Sequence, residues 1–145
     1  MNTFKSFLAA AALNLPALAA AGAVQQPALL EIGFSGITEP TGAIMLAVYD
    51  SEAAYNGGQP VRAVRLAVSG AAAKTQFEGL PAGRYAIKAF HDVDGDGKMS
   101  VNPYGMPIEP FAFSNNAKGS MGPATWTQAA FDIVSGATVQ AITIQ

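Results

Sequence analysis

The chain predicts an all-β domain, an antiparallel Greek-key-type β-sandwich of about seven strands with one long ordered loop. Apolar residues recur at every second position in short runs, turn residues separate those runs, and no long amphipathic helix follows residue 24. Period-two alternation is the signature of strands with one buried face, and clustered Gly, Pro, Asn and Asp mark the reversals between them.

The elements follow in order. Leu30, Ile32 and Phe34 alternate with Glu31, Gly33 and Ser35, which predicts a first strand. Ile44, Leu46 and Val48 predict a second, after the turn Glu39-Pro40-Thr41-Gly42. Asp50 to Tyr55 predicts a short helical turn before the breaker Asn56-Gly57-Gly58-Gln59-Pro60. Val64, Leu66 and Val68 mark a third strand, and Tyr85, Ile87 and Ala89 mark another after Leu80-Pro81-Ala82-Gly83. Ala129, Phe131 and Ile133 alternate next, ending at Ser135-Gly136. The last segment, Thr138 to Gln145, is β-branched at both odd and even positions, so its pattern leaves the buried face open.

One stretch breaks the rhythm. From Met99 to Trp126 there is no sustained alternation, and Pro103, Pro107, Pro110 and Pro123 punctuate it. Tyr104, Met106, Ile108, Phe111, Phe113 and Met121 make it too apolar for a disordered linker. With the acidic run that opens it, residues 92–126 are expected to form an ordered excursion packed on the sandwich, and loops of that length are often functional.

The chain has 145 residues, a net charge of −2 and no cysteine. Lys5, the apolar run Phe7 to Leu18 and the tract Ala19-Ala20-Ala21-Gly22-Ala23 read as a secretory signal peptide over residues 1–23. The apolar run is shorter than a bilayer-spanning helix and holds Pro16, which argues against a membrane anchor. The remainder, 24–145, is expected to be one domain with one core. It is expected to be exported to the periplasm or beyond in a bacterium, with no membrane span after cleavage. It has no disulfides, thiol chemistry or thiolate metal sites. Its Arg and Lys residues are scattered singly, which disfavours nucleic-acid binding.

Chemistry concentrates at Asp92-Val93-Asp94-Gly95-Asp96-Gly97-Lys98. Three carboxylates at alternate positions repel one another unless a cation neutralises them. A hard ion such as Ca²⁺ wants several oxygens at once, and Gly97 permits the sharp turn that wraps them. Asp92, Asp94 and Asp96 are candidate ligands, Lys98 by its backbone carbonyl and Ser100 directly or through water. Pro103 stands where an EF-hand has its bidentate Glu, and no helices flank the loop. The last ligand must then come from elsewhere, with Glu109 the candidate and Asn102 behind it. Ca²⁺ is favoured over Mg²⁺ because the loop is oxygen-rich and not rigidly octahedral. The alternative is an ion-free polar turn. His91, the only histidine, reads as a strand-end residue whose ring bonds to or packs beneath the loop. Trp126, Phe111 and Phe113 either stack on a ligand or plug the sandwich edge.

Phe77-Glu78-Gly79-Leu80-Pro81-Ala82-Gly83-Arg84-Tyr85 resembles the element that closes one strand and opens the next in transthyretin-like, carboxypeptidase-regulatory-like sandwiches. The continuation is more specific: His91-Asp92-Val93-Asp94-Gly95-Asp96-Gly97-Lys98, Tyr104-Gly105-Met106-Pro107-Ile108-Glu109 and Phe113-Ser114-Asn115-Asn116. Together these resemble the DUF2141 family of exported bacterial domains across roughly residues 28 to 145. Ser100 stands where the family often has Asp, and Ala112 where many members have Gly. The resemblance implies export, a sandwich and a metal-type loop, and it brings no activity with it.

The function expected from these residues is a non-enzymatic exported domain whose Ca²⁺-ordered loop shapes a surface for a protein, peptide or glycan. His91, Tyr104, Phe111, Phe113, Asn115, Asn116 and Trp126 are the candidate surface residues. The rivals are a metal-assisted hydrolase using His91 and Glu109, and a structural domain docking on a larger cell-envelope partner through its edge strands.

Overall fold

β1 (Leu29–Ser35) places Leu30, Ile32 and Phe34 in the interior, as its alternation requires. The computed structural model describes residues 27–145; the expected signal peptide lies outside the described residues. β2 (Ala43–Tyr49) buries Ile44, Leu46 and Val48, and α1 (Glu52–Tyr55) follows as a single helical turn. The Ser51 side chain caps that turn by accepting from Ala54 N–H. β3 (Arg62–Ala67), β4 (Ala73–Glu78) and β5 (Gly83–Asp92) come next. β6 (Phe111–Phe113), α2 (Trp126–Ala129), β7 (Phe131–Ile133) and β8 (Ala137–Thr143) complete the order.

The strands form two sheets, one ordered β4-β1-β8 and the other β3-β2-β5-β6. β7 also joins β5, so one edge of β5 serves two short strands in series. Gly83–Tyr85 pairs with β7, and Lys88–Phe90 pairs with β6. The two sheets close on one core containing Leu30, Ile32, Ile44, Leu46, Ile87 and Ile142. The outer face of the second sheet carries a smaller cluster, Tyr55, Ala86, Phe113, Ala124 and Ala129, beneath α1 and α2.

The all-β class stands, with two refinements. The sandwich is not purely antiparallel, because β1 and β8 run parallel from Leu29↔Ala137 to Ser35↔Thr143. β7 ends in the other sheet, and the Ser135-Gly136 turn hands the chain across, so β8 enters from the end where β1 begins. A parallel pair needs a long crossover, and the rest of the domain provides it. Among the described residues there are eight strands rather than about seven. β4 escapes a hydrophobicity scan because Thr75 sits inward between Ala73 and Phe77, and β6 is three residues long. β6 therefore interrupts the 92–126 excursion, followed directly by a 3-10 turn at Ser114–Asn116. Along β8 and one residue past its end, the even set, Gln140, Ile142 and Ile144, faces inward.

Ser114-Asn115-Asn116 stitches the sheets together. Ser114 Oγ, fully buried, accepts from Ile87 N–H on β5 and donates to Ala129 O. Asn115 Nδ2 donates to Ala130 O, and its backbone N–H donates to the Gln140 side chain. Asn116 accepts from Thr143 N–H and donates to Ala141 O, so its amide occupies the free edge of β8 as a strand residue would. Both asparagines adopt positive φ, 58° and 51°, a conformation asparagine tolerates better than other non-glycine residues. Ser114→Ala should strand a buried N–H and a buried carbonyl, costing about 1–3 kcal/mol. A shift in the chemical-denaturation midpoint at unchanged slope reads that loss. A midpoint indistinguishable from wild type would remove Ser114 from this role.

Candidate functional site

The acidic loop begins at the last residue of β5. Asp92 is fully buried there, because β2 pairs with it through Ala43. The preceding turn presses against it closely. Gly42 has φ +68°, and a Cβ there would lie 1.9 Å from the Asp92 carbonyl oxygen. Only glycine fits that approach. Next to it, Thr41 O receives a 2.7 Å hydrogen bond from His91 Nε2. Since a carbonyl only accepts, Nε2 carries the proton.

The loop then folds on its own carboxylates. Asp92 Oδ2 accepts from Gly97 N–H at 3.0 Å, and Gly97 makes the turn with φ +79°. Asp94 Oδ1 accepts from Asp96 N–H, and Asp96 Oδ1 accepts from Lys98 N–H. One oxygen each from Asp92, Asp94 and Asp96 lie within 4.8 Å of one another. Two oxygens bound to one Ca²⁺ at roughly 2.4 Å sit at most about 4.8 Å apart, so this spacing suits ligands of one ion. Asp92 Oδ1 is buried without a hydrogen-bond partner. An unpaired buried carboxylate oxygen is costly. A cation is one partner that would satisfy it, and the all-oxygen donor set suits a hard one.

Glu109 closes the loop from outside. Its Oε1 accepts from Val93 N–H and its Oε2 from Ser100 N–H, both at 2.9 Å. The carboxylate thus ties together the two ends of the acidic loop and does not belong to the three-aspartate group. Beyond Ser100 the chain doubles back as a narrow arm. Ile108 N–H donates to Ser100 O, Asn102 N–H to Met106 O, and Val101 bridges Pro107. Asn102 Oδ1 accepts from Tyr104 and Met106 N–H and is spent on the arm's tip. Lys98 is exposed, and Ser100 is half-buried at the arm's root.

The residues expected to form a surface scatter. His91 is fully buried and Phe113 nearly so, in the outer cluster. Asn115 and Asn116 spend their side-chain amides on the fold. Trp126 packs edge-on to Tyr55, with ring centroids 5.8 Å apart. Tyr104 stands 88 % exposed at the arm's tip, and Phe111 lies half in solvent at 37 %.

Sequence reasoning missed a groove. The outer face of the second sheet, walled by the arm, encloses about 1090 Å³. Its floor includes Met45, Ala47 and Tyr49 of β2 and Lys88 of β5. A signal was present: β2 is apolar at odd as well as even positions, which a strand with one solvated face has no reason to be. Lys88 is the only charge between Tyr85 and His91. Its Nζ donates to Tyr55 O at 2.6 Å and lies 4.1 Å from the Tyr55 ring centroid. Burial holds the ammonium below the ordinary lysine value. Burial, then the neighbouring Tyr49, pushes the Tyr55 hydroxyl up to about 12, and that hydroxyl donates to Ala124 O.

A model of the family described as an uncharacterized protein conserved in bacteria (DUF2141) matches residues 32–141, and the chain belongs to that family. No curated protein and no solved structure matches it. Among the described residues no helix is long and apolar enough to cross a membrane.

Glu109→Gln should loosen the loop, because a side-chain amide has one accepting oxygen where two N–H groups need one each. Hydrogen exchange at the Val93 and Ser100 amides should accelerate roughly tenfold or more, with β2 amides unchanged. Equal protection in the variant would count against the strap.

Proposed function

We propose that this protein is an exported, non-enzymatic β-sandwich. In it Asp92, Asp94 and Asp96 hold a divalent cation of the calcium type, and the loop so held orders a surface that binds a ligand or partner. The unpartnered, fully buried Asp92 Oδ1 beside two further carboxylates carries the reading. The fold has placed one anionic oxygen where water does not reach it, and the loop offers no N–H to it. A cation relieves both that deficit and the mutual repulsion of the three carboxylates. The Lys98 carbonyl, Ser100 and water are the further oxygens available along the chain.

The route from ion to surface runs through the covalent chain and the Glu109 strap. The acidic loop ends at Lys98, and the arm starts at Ser100, where Glu109 joins both ends. Holding the loop therefore holds the arm. The arm carries Val101, Tyr104, Met106 and Ile108 largely exposed, a concentration of apolar surface that monomeric proteins usually reserve for binding. Export rests on the character of residues 1–23.

Metal-assisted hydrolysis finds little support at these residues. His91 has no exposed surface and bonds Thr41, and both Glu109 oxygens receive backbone N–H groups. The His91 Nδ1 is unpaired but fully buried, and the Glu109 oxygens are both engaged, so neither residue presents a base to a water at the surface.

Adding millimolar Ca²⁺ to chelator-treated protein should raise its melting temperature by several degrees, since an ion that binds only the folded state stabilises it by mass action. Asp92→Asn should abolish the rise. An unshifted melting curve in the wild-type protein would sink the proposal.

A further inference from the structure

The groove has a definite chemistry. Its floor is built in rows across the sheet. Met45 sits between Arg65 and Phe90, and in the next row Ala47 sits between Ala63 and Lys88. The alanines leave a trough between flanking larger side chains, Met45 on one side and Tyr49 on the other. Tyr104 and Met106 from the arm and Met121 from the segment before α2 form the walls. At about 1090 Å³ it lies just above the usual range for small-molecule sites, which are typically apolar with a few placed polar groups.

Its charges are one-sided. Lys88 and Arg65 are the charged residues of the lining, and no carboxylate is among them. Arg65 stands at the rim nearest the acidic loop, where its Nη2 lies 3.7 Å from the position a Cβ would take on Gly95. Lys88 lies deeper, half-buried, at the end marked by Tyr49 and Tyr55. One of its hydrogens goes to Tyr55 O, and its other neighbours there are aromatic faces. Desolvation alone accounts for its depressed proton affinity, with no carboxylate opposing it. A partly dehydrated cation in an apolar trough, with no counter-ion among the described residues, is complementary to an anion that brings an apolar body with it.

We infer that the trough between the outer sheet face and the arm binds an elongated apolar molecule ending in one anionic group, a fatty-acid-type carboxylate, with the anion on Lys88. The body lies over Ala47 and Met45 against Tyr104 and Met106. The inference rests on the proposed function only in taking the arm as a wall of the binding surface.

The test is calorimetric titration of the calcium-loaded protein with decanoate and with decan-1-ol, which share a body and differ in charge. Decanoate should bind one to one, roughly tenfold or more tighter than the alcohol, as a charge-assisted contact implies. Lys88→Met keeps the stem and removes the charge, and it should lower decanoate affinity to that of the alcohol. Ala47→Trp should fill the trough and abolish both. Equal affinity of acid and alcohol in the wild-type protein overturns the inference without recourse to any variant. So does the absence of saturable binding when the calcium-dependent melting shift is intact, an outcome that leaves the proposed function standing. Light scattering that shows a dimer broken by Ala47→Trp, with no decanoate bound, would make the trough a self-interface and also overturn it. Decanoate binding without any calcium effect would support the groove and remove the ion.

Discussion

β5 is hydrogen-bonded along both edges, and the site depends on that. β2 runs beside it from Ala86 to Asp92, while β7 and then β6 occupy the other edge. A central strand held on two sides has little freedom, so whatever leaves its end leaves from a fixed point and in a fixed direction. Asp92 is that end. Pairing with Ala43 and the close approach of Gly42 bury it, where the final residue of an edge strand would reach solvent. The buried carboxylate oxygen, the turn at Gly97 and the position of the arm all follow from where β5 stops.

Family-motif residues that look functional divide into two kinds once their bonds are traced. Ser114, Asn115, Asn116 and Glu109 are polar, clustered and flanked by aromatics, which is how binding residues often look. Each is instead engaged with the backbone. The Ser114 hydroxyl and the Asn115 amide join β5, α2 and β8. Asn116 covers the outer edge of β8, and Glu109 clamps the loop. Such residues are demanded by satisfaction of buried N–H and C=O groups as strongly as a catalytic residue is demanded by chemistry. The three aspartates differ, because each accepts one loop N–H and one oxygen of Asp92 remains buried with no partner.

The outer face of the second sheet explains why the excursion is ordered without regular structure. Part of that face packs under α1, α2 and the Ser114–Asn116 turn, with Tyr55 at its centre. The rest stays open beneath the arm as the groove. The same sheet therefore supports a closed core on one side and, on the other, a covered patch beside an uncovered one. Tyr55 joins the two parts. Its hydroxyl anchors the segment at Ala124, and its ring and carbonyl hold Lys88 at the boundary of the open trough.

Period-two alternation in Leu30–Phe34, Ile44–Val48 and Tyr85–Ala89 was enough to establish an all-β chain, because side-chain direction along a strand is a local property. The acidic run and the breakers around it were equally legible, since charge crowding and turn chemistry act over a few residues. Strand partners were not legible. The parallel β1–β8 pair, the shared edge of β5 and the placement of short β6 join residues far apart in the chain, and no local pattern encodes them. The burial of Asp92 and His91, the clamp role of Glu109 and the trough around Lys88 likewise arise only when those partners meet. Burial, hydrogen-bond satisfaction and cavity shape are properties of neighbours in space, and folding alone decides which neighbours those are.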